Sequence, residues 1–125
     1  YSILVACIGA KLGVVSFNHF MAQTNQQINA VIPRDEYTRY FLYFILESYK
    51  SRLQSIGGGA TMPNVNKSKF SALDFLLPEK NLLEMFNDYA DSNFSQMALL
   101  IEENQKLSQA RDILLPRLMN GTLTV

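Results

Sequence analysis

Short apolar runs alternate with polar breaks in the first third of the chain. Residues 2–8 form a continuous apolar run that ends at a glycine, which predicts a strand covered on both faces. Residues 9–13 are typical of a turn and residues 14–17 of a second strand, so together they predict a hairpin. Residues 28–32 predict a third strand, which Pro33 ends because proline has no N–H for the sheet ladder.

Helical spacing replaces this pattern in the middle of the chain. Asp35 is the expected N-cap of a helix whose aromatic and aliphatic residues recur every three to four positions. A helix this apolar should pack against the sheet and stop at the glycines 57–59. Beyond it, Asn66 is expected to cap a short helical turn, and residues 74–77 predict a further strand that Pro78 closes.

Residues 79–120 contain no glycine and predict one long helix or two in series, with Pro116 expected to kink or end it and Gly121 to stop it. If the helix continues to residue 115, it is roughly 55 Å long. Spacings of three and four give a heptad-like seam with polar interruptions. Its expected interface residues are Leu83, Phe86, Met97, Leu100, Asn104, Leu107 and Leu114. A buried Asn104 would fix register or partner number, whereas a solvated Asn104 would indicate a helix that lies against its own domain.

These patterns predict an α+β fold in two parts. Residues 1–78 should form a small β-sheet with a packed helix, and residues 79–125 a long helical segment that resembles a coiled coil. A chain of 125 residues with 48% hydrophobic content suffices for one modest core with an extension. The first residue stands inside an apolar run, so we expect the natural beginning of this domain to be missing.

Neither a membrane segment nor a disulfide is expected. No apolar run reaches the roughly 18 to 20 residues of a spanning helix, and the start lacks the order of a signal peptide, so a soluble cytoplasmic protein is expected. Cys7 is the one cysteine and lies in a strand-like run, where we expect a buried small hydrophobe rather than a reactive thiol.

The formal net charge is zero, but the two halves of the chain differ in sign. Residues 1–69 carry seven basic and three acidic side chains, and residues 70–125 carry four basic and eight acidic ones. If one half contacts a polyanion such as DNA, it should be the first half. A random distribution of surface charge explains counts of this size equally well.

Catalytic and cofactor motifs are missing from the sequence. His19 is the one histidine and has no second histidine or cysteine nearby, so it is expected to be a loop residue, and no metal site is predicted. Gly9 and Gly13 lack phosphate-loop spacing. The chain also has no Pro-Pro dipeptide and therefore no adenine methyltransferase motif of the Asn/Asp-Pro-Pro-aromatic kind. We expect no cofactor and no catalysis by this chain alone.

Polar clusters are more informative, because Asn and Gln can bind adenine edges through two hydrogen bonds while Lys binds phosphate. The alternative is that each residue merely caps a turn, since polar loops are common. The candidate DNA-binding residues are Lys11, Asn25, Gln26, Gln27, Thr61, Asn64, Asn66, Lys67 and Lys69.

Five segments in this order resemble the specificity subunits of type I restriction-modification enzymes. They are residues 8–15 (IGAKLGVV), 24–28 (TNQQI) with Pro33 after it, 59–65 (GATMPNV), 75–78 (FLLP) and 109–121 (QARDILLPRLMNG). The last segment, preceded by a long helix, is the most specific. The chain departs from the family's pattern at residues 79–81, where the family often has a second proline and a glutamine.

The resemblance implies a non-catalytic scaffold. Residues 1–78 would be the later part of a target-recognition domain, and the long helix a spacer that docks the modification subunits, which methylate adenine. The implied partners are double-stranded DNA, modification subunits and a restriction subunit, and the seam adds a homodimer through the long helix. The alternative function is a protein-interaction module that binds no DNA and homodimerises through that helix.

Overall fold

The computed structural model describes residues 2–58 and 62–122. They fall into two compact units, Tyr1–Ala90 and Asp91–Val125. The strands are β1 (Ser2–Ala6), β2 (Val15–Asn18) and β3 (Ile28–Val31); the helices are α1 (Arg39–Ser48), α2 (Lys50–Gly57), α3 (Lys67–Ser71) and α4 (Lys80–Met119), with 3-10 turns at Gly9–Lys11 and Glu36–Thr38. The predicted α+β class and the long C-terminal helix are confirmed. The division after Pro78 stays a prediction.

The three strands form one antiparallel sheet in the order β2-β1-β3. Ile3 of the central strand pairs with Phe17 on β2 and with Val31 on β3. Ile3 and Val5 are fully buried, while Leu4 between them is only partly covered. The predicted hairpin is confirmed, but the expectation of complete burial on both faces is wrong, because alternate residues of β1 face the less covered side.

Helix α1 packs on the sheet, as its apolar residues predict. The ring of Phe17 on β2 stacks on Tyr40 with centroids 5.2 Å apart and meets Tyr43 edge-on at 5.9 Å. Leu46 of α1 and Leu53 of α2 complete the core. Seven residues define this buried core cluster: Ile3, Val5, Cys7, Leu12, Leu46, Leu53 and Val65.

The predicted helix between residues 35 and 57 is interrupted. Asp35 precedes a 3-10 turn and its side chain makes no capping hydrogen bond; its carbonyl oxygen instead accepts from Thr38 Oγ1 at 2.7 Å. A second interruption separates α1 from α2 at Tyr49. At this break the Tyr49 N–H is shared between the Ile45 and Leu46 carbonyl oxygens at 3.2 Å each, and the Ser48 hydroxyl also donates to the Ile45 carbonyl oxygen at 2.7 Å.

The predicted strand at residues 74–77 is wrong. This segment has no regular secondary structure and pairs with no strand among the described residues. It lies against α2, where the Asp74 carbonyl oxygen accepts from Tyr49 Oη at 2.8 Å and the Asp74 carboxylate meets Arg52 at 2.6 Å. Side chains at and just before the start of α2 therefore bind Asp74, the first residue of the segment, in place of a sheet ladder.

Helix α4 extends over 40 residues and includes Pro116, so the proline does not end the helix, and the alternative of a kink stays a prediction. Pro116 lies in the last turns of the helix, so few helical hydrogen bonds follow the one backbone donor that it removes. The stop predicted at Gly121 is confirmed: its φ is 73° and its N–H donates to the Leu118 carbonyl oxygen at 3.3 Å. No helix in the described residues is both long and apolar enough to cross a bilayer.

Candidate nucleic-acid interface

Three polar segments that are distant in sequence meet at Cys7, directly after β1. The Cys7 N–H donates to the Gln27 carbonyl oxygen at 2.8 Å, and the Cys7 carbonyl oxygen accepts from the Val65 N–H at 2.9 Å. The Gly9 N–H donates to the Pro63 carbonyl oxygen at 2.9 Å. We call this surface, made of residues 9–13, 24–27 and 62–69, the polar end of the sheet.

The first segment presents Lys11. Gly9 and Gly13 have φ angles of 77° and 83°, which non-glycine residues rarely adopt. A Cβ on Gly13 would stand 3.1 Å from backbone atoms of Lys50, so close packing against α2 also requires glycine there. Leu12 is buried in the core, and its neighbour Lys11 is left exposed on a 3-10 turn.

The second segment is a turn closed by Asn25. Its side-chain Oδ1 accepts from the Gln27 N–H at 3.0 Å, and its carbonyl oxygen accepts from the Ile28 N–H at 3.1 Å. The side chains of Gln26 and Gln27 are exposed. The predicted residues are therefore present at the surface, and Asn25 uses its acceptor within the turn.

The third segment leads into α3. Asn64 is exposed and forms an isolated bridge with Ile8, which joins it to the end of β1. Asn66 caps α3 as predicted, since its Oδ1 accepts from the Lys69 N–H at 2.9 Å. The Lys69 ammonium donates to the Ile56 carbonyl oxygen at 3.1 Å, at the end of α2.

Two candidate residues remain, Lys67 within this segment and Thr61 before it. Lys67 is exposed at the first position of α3 and makes no ion pair within the described residues. Thr61 lies outside the described residues. The structure thus brings eight of the nine candidates to one end of the sheet.

The polar end is free of carboxylates. Residues 1–34 and 48–73 contain no aspartate or glutamate. The acidic residues of the first unit lie outside these two ranges: Asp35 and Glu36, which follow the other end of β3, and Glu47, Asp74, Glu79, Glu84 and Asp88. Lys11, Lys67 and Lys69 therefore make the polar end electropositive, which the neutral total charge conceals.

No motif in the sequence singles out Lys50, yet its backbone and Cγ lie against Gly13, in the segment that carries Lys11. Gln54, one turn further along α2, donates to the Leu12 carbonyl oxygen at 3.4 Å. The one sequence signal that could have found Lys50 is the lack of acidic residues between 48 and 73. Its approach to Gly13 is a tertiary contact that no local pattern reveals.

The two remaining candidates for chemistry are structural. Cys7 is buried, and burial raises the pKa of its thiol, although a hydrogen bond from Asn29 partly opposes this. Burial lowers the pKa of His19, whose ring meets Phe17 edge-on at 4.9 Å. Among the described residues, no three His, Cys, Asp or Glu side chains are grouped to hold a metal ion.

The predicted seam of α4 is distributed over both units. In the first unit, Leu83 is buried and lines an apolar cavity of about 260 Å³ with Phe41, Pro78 and Phe86. Phe86 also meets Phe44 edge-on at 5.9 Å. In the second unit, the apolar seam residues are between 45% and 66% exposed: Met97, Leu100, Leu107 and Leu114. Asn104 is exposed among them.

The first unit therefore belongs to the class of small α+β domains that present loops at one end of an antiparallel sheet. The family model described as the type I restriction modification DNA specificity domain matches residues 1–83. Because this match covers more than half of the 125 residues, the chain belongs to that family. The resemblance stated from five sequence segments is confirmed.

A curated relative extends the similarity into the long helix. The chain is 41% identical to the type I restriction enzyme HindI specificity subunit of Haemophilus influenzae over 98% of its own length. That match covers 27% of the relative, so the chain spans about a quarter of the relative's length. The prediction of a non-catalytic specificity subunit agrees with the description of the family model and with the name of this relative.

Proposed function

We propose that this chain binds double-stranded DNA in the cytoplasm through the polar end of its sheet, as a recognition part of a type I restriction-modification enzyme. The observation that carries the proposal is the convergence near Cys7 of three segments that together carry five amide side chains and three lysines and contain no carboxylate. Amides and lysines on one surface supply both base-edge and phosphate contacts.

The convergence of the three segments supports a binding role for their polar residues. Each loop alone is an ordinary polar loop, but three backbone hydrogen bonds of 2.8 to 2.9 Å join them at one end of β1. Lys11, Gln26 and Lys67 are exposed residues of the segments that these bonds join. A surface prepared in this way loses little conformational entropy when it binds a duplex.

The long helix would serve partner subunits. Leu100, Leu107 and Leu114 expose apolar surface at spacing of seven, which a second helix could bury. We propose that this stretch docks the modification subunits, and that these and a restriction subunit carry out adenine methylation and DNA cleavage. Recognition and scaffolding would then be the whole task of this chain, which would need no cofactor.

The same exposed seam supports the second candidate function, a homodimerising interaction module that binds no DNA. The two candidates differ at the polar end, since only the first requires it. Co-purification with the modification subunit, followed by light scattering, would support the docking role. A clean homodimer without that complex would favour the second candidate.

The direct test compares two charge reversals. Lys67→Glu changes the polar end, and Arg34→Glu makes the same change in charge after the opposite end of β3. We expect Lys67→Glu to weaken binding to random-sequence duplexes and to lower the slope of log affinity against log salt by about 1. Arg34→Glu should change both much less. Equal effects from the two variants would contradict a DNA site at the polar end.

A further inference from the structure

We infer that two asparagines of the polar end, Asn25 and Asn66, are positioning residues, and that the residues directly after them, Gln26 and Lys67, make the DNA contacts. This division rests on the proposed DNA-binding function and deepens it. It divides the candidate residues of these two loops into residues that shape the loop and residues that contact DNA.

Both loops use the same arrangement. Asn25 Oδ1 accepts from the backbone N–H two residues later at 3.0 Å, and Asn66 Oδ1 accepts from the backbone N–H three residues later at 2.9 Å. Each bond closes a turn around the residue that follows the asparagine. Gln26 and Lys67 are those residues, and both are exposed.

An asparagine that binds adenine uses its amide N–H₂ and its carbonyl oxygen together, in the plane of the base. At Asn25 and Asn66 that oxygen is already directed at a main-chain N–H of the same loop. That bond uses one of the two lone pairs of the oxygen and fixes the orientation of the amide within its own loop, so a base could be read only in that orientation, which makes direct reading by these two residues unfavourable. Gln26 has no such bond among the described residues and can present its whole amide.

The two contacts differ in kind. Lys67 has a charged donor at the edge of a carboxylate-free surface, which suits a phosphate. Gln26 carries an uncharged amide, which suits a base edge. We therefore expect Lys67 to control affinity and its salt dependence, and Gln26 to control sequence preference at nearly constant salt slope.

The first test is a double-mutant cycle on this chain with random-sequence duplex DNA. Asn66→Ala should weaken binding roughly fivefold, about the effect of losing a typical N-cap, and Asn66→Ser should restore it, because serine also caps a helix. In a Lys67→Ala background, Asn66→Ala should have almost no further effect, since its influence passes through Lys67. Circular dichroism at the assay temperature confirms that each variant is folded.

Two results would overturn the inference while leaving the DNA surface intact. In one, Asn66→Ala weakens binding as much in the Lys67→Ala background as in the parent chain. In the other, Asn66→Ser binds as weakly as Asn66→Ala, which would indicate that the amide itself contacts DNA. If Lys67→Ala instead leaves both affinity and salt slope unchanged, the proposed DNA surface fails, and the positioning roles fail with it.

The second loop is tested by selection from a pool of random duplexes. Gln26→Ala should change the enriched sequences, and Asn25→Ala should change them in the same way. Asn25→Ser should enrich the parent sequences, because its hydroxyl can accept the same N–H. A parent preference that survives Gln26→Ala but not Asn25→Ser would make Asn25 the reader and overturn its positioning role.

Discussion

Asn29 on β3 donates a hydrogen bond from Nδ2 to Cys7 Sγ at 3.1 Å. The same sulfur lies 3.5 Å from the Val5 carbonyl oxygen, to which the thiol donates. Cys7 thus has a donor and an acceptor for its buried thiol, while its backbone joins two of the polar segments. Cys7, whose backbone hydrogen bonds join two segments of the candidate site, is therefore a core residue with almost no contact with solvent.

Cys7 should resist thiol reagents in the folded protein. It is 2% exposed, and burial raises its pKa, so both access and thiolate content are low near neutral pH. We expect labelling by Ellman's reagent to be slow in buffer and fast in concentrated urea. Rapid stoichiometric labelling of the folded chain would contradict the buried position of Cys7.

Leu53 anchors α2, and through it the loop of Lys11, to the core. Its side chain is fully buried in the core cluster. Leu53→Ala should lower the free energy of unfolding by about 2 to 5 kcal/mol, because it removes buried methyl groups and leaves a cavity. Ser55→Ala on the exposed side of the same helix is the control and should change it little. Urea unfolding measures both; similar midpoints would contradict this core.

Local features of the fold could be predicted from sequence. The Asn66 cap depends on a bond to a residue three positions away, and the β1–β2 hairpin on two apolar runs around a short turn. Both are encoded within a short stretch of neighbouring residues. The glycine stop at Gly121 belongs to the same group, because it depends on one backbone angle.

Features that depend on tertiary contacts could not be predicted. The run at residues 74–77 has the composition of a strand, but Leu76 is 93% exposed and the segment is tied to Arg52 instead of a ladder. Likewise, the polar loops are recognisable from their composition, but no local pattern indicates that Cys7 joins Gln27 to Val65. Both the contact between Arg52 and Asp74 and the hydrogen bonds of Cys7 join residues that are far apart in sequence.

Stability should fall at mildly acidic pH because of His19. Burial, with a contribution from the charge of Arg39, lowers the pKa of His19 in the folded state. Above the unfolded value of about 6.5 both states hold a neutral ring, and below it the unfolded state binds the proton first. The urea midpoint should therefore decrease as pH falls through about 6.5, and His19→Gln should reduce that decrease. An identical pH profile for the variant would assign the effect to other groups.

The Arg52–Asp74 pair should matter only above the pKa of the carboxylate. The hydrogen bond from Arg52 lowers the pKa of Asp74, so the pair stabilises the fold at neutral pH and loses this contribution as pH falls through the lowered pKa. Both groups are exposed, so the effect should be small and reduced by salt. Asp74→Asn should lower the thermal midpoint slightly at pH 7 and not at strongly acidic pH. A loss that persists in acid would point to the backbone bonds of Asp74.

Self-association should depend on the exposed part of the seam. Leu107 is 66% exposed on α4, and burying it with Leu100 and Leu114 against a second helix would remove apolar surface from water. We expect a concentration-dependent dimer at micromolar concentrations, and Leu107→Glu should shift it to monomer without loss of helical signal. Glu103→Gln, an exposed change on the same helix, is the control and should leave the dimer intact. A strictly monomeric mass for the unmodified chain by sedimentation would exclude dimerisation through this seam and leave it to the modification subunits.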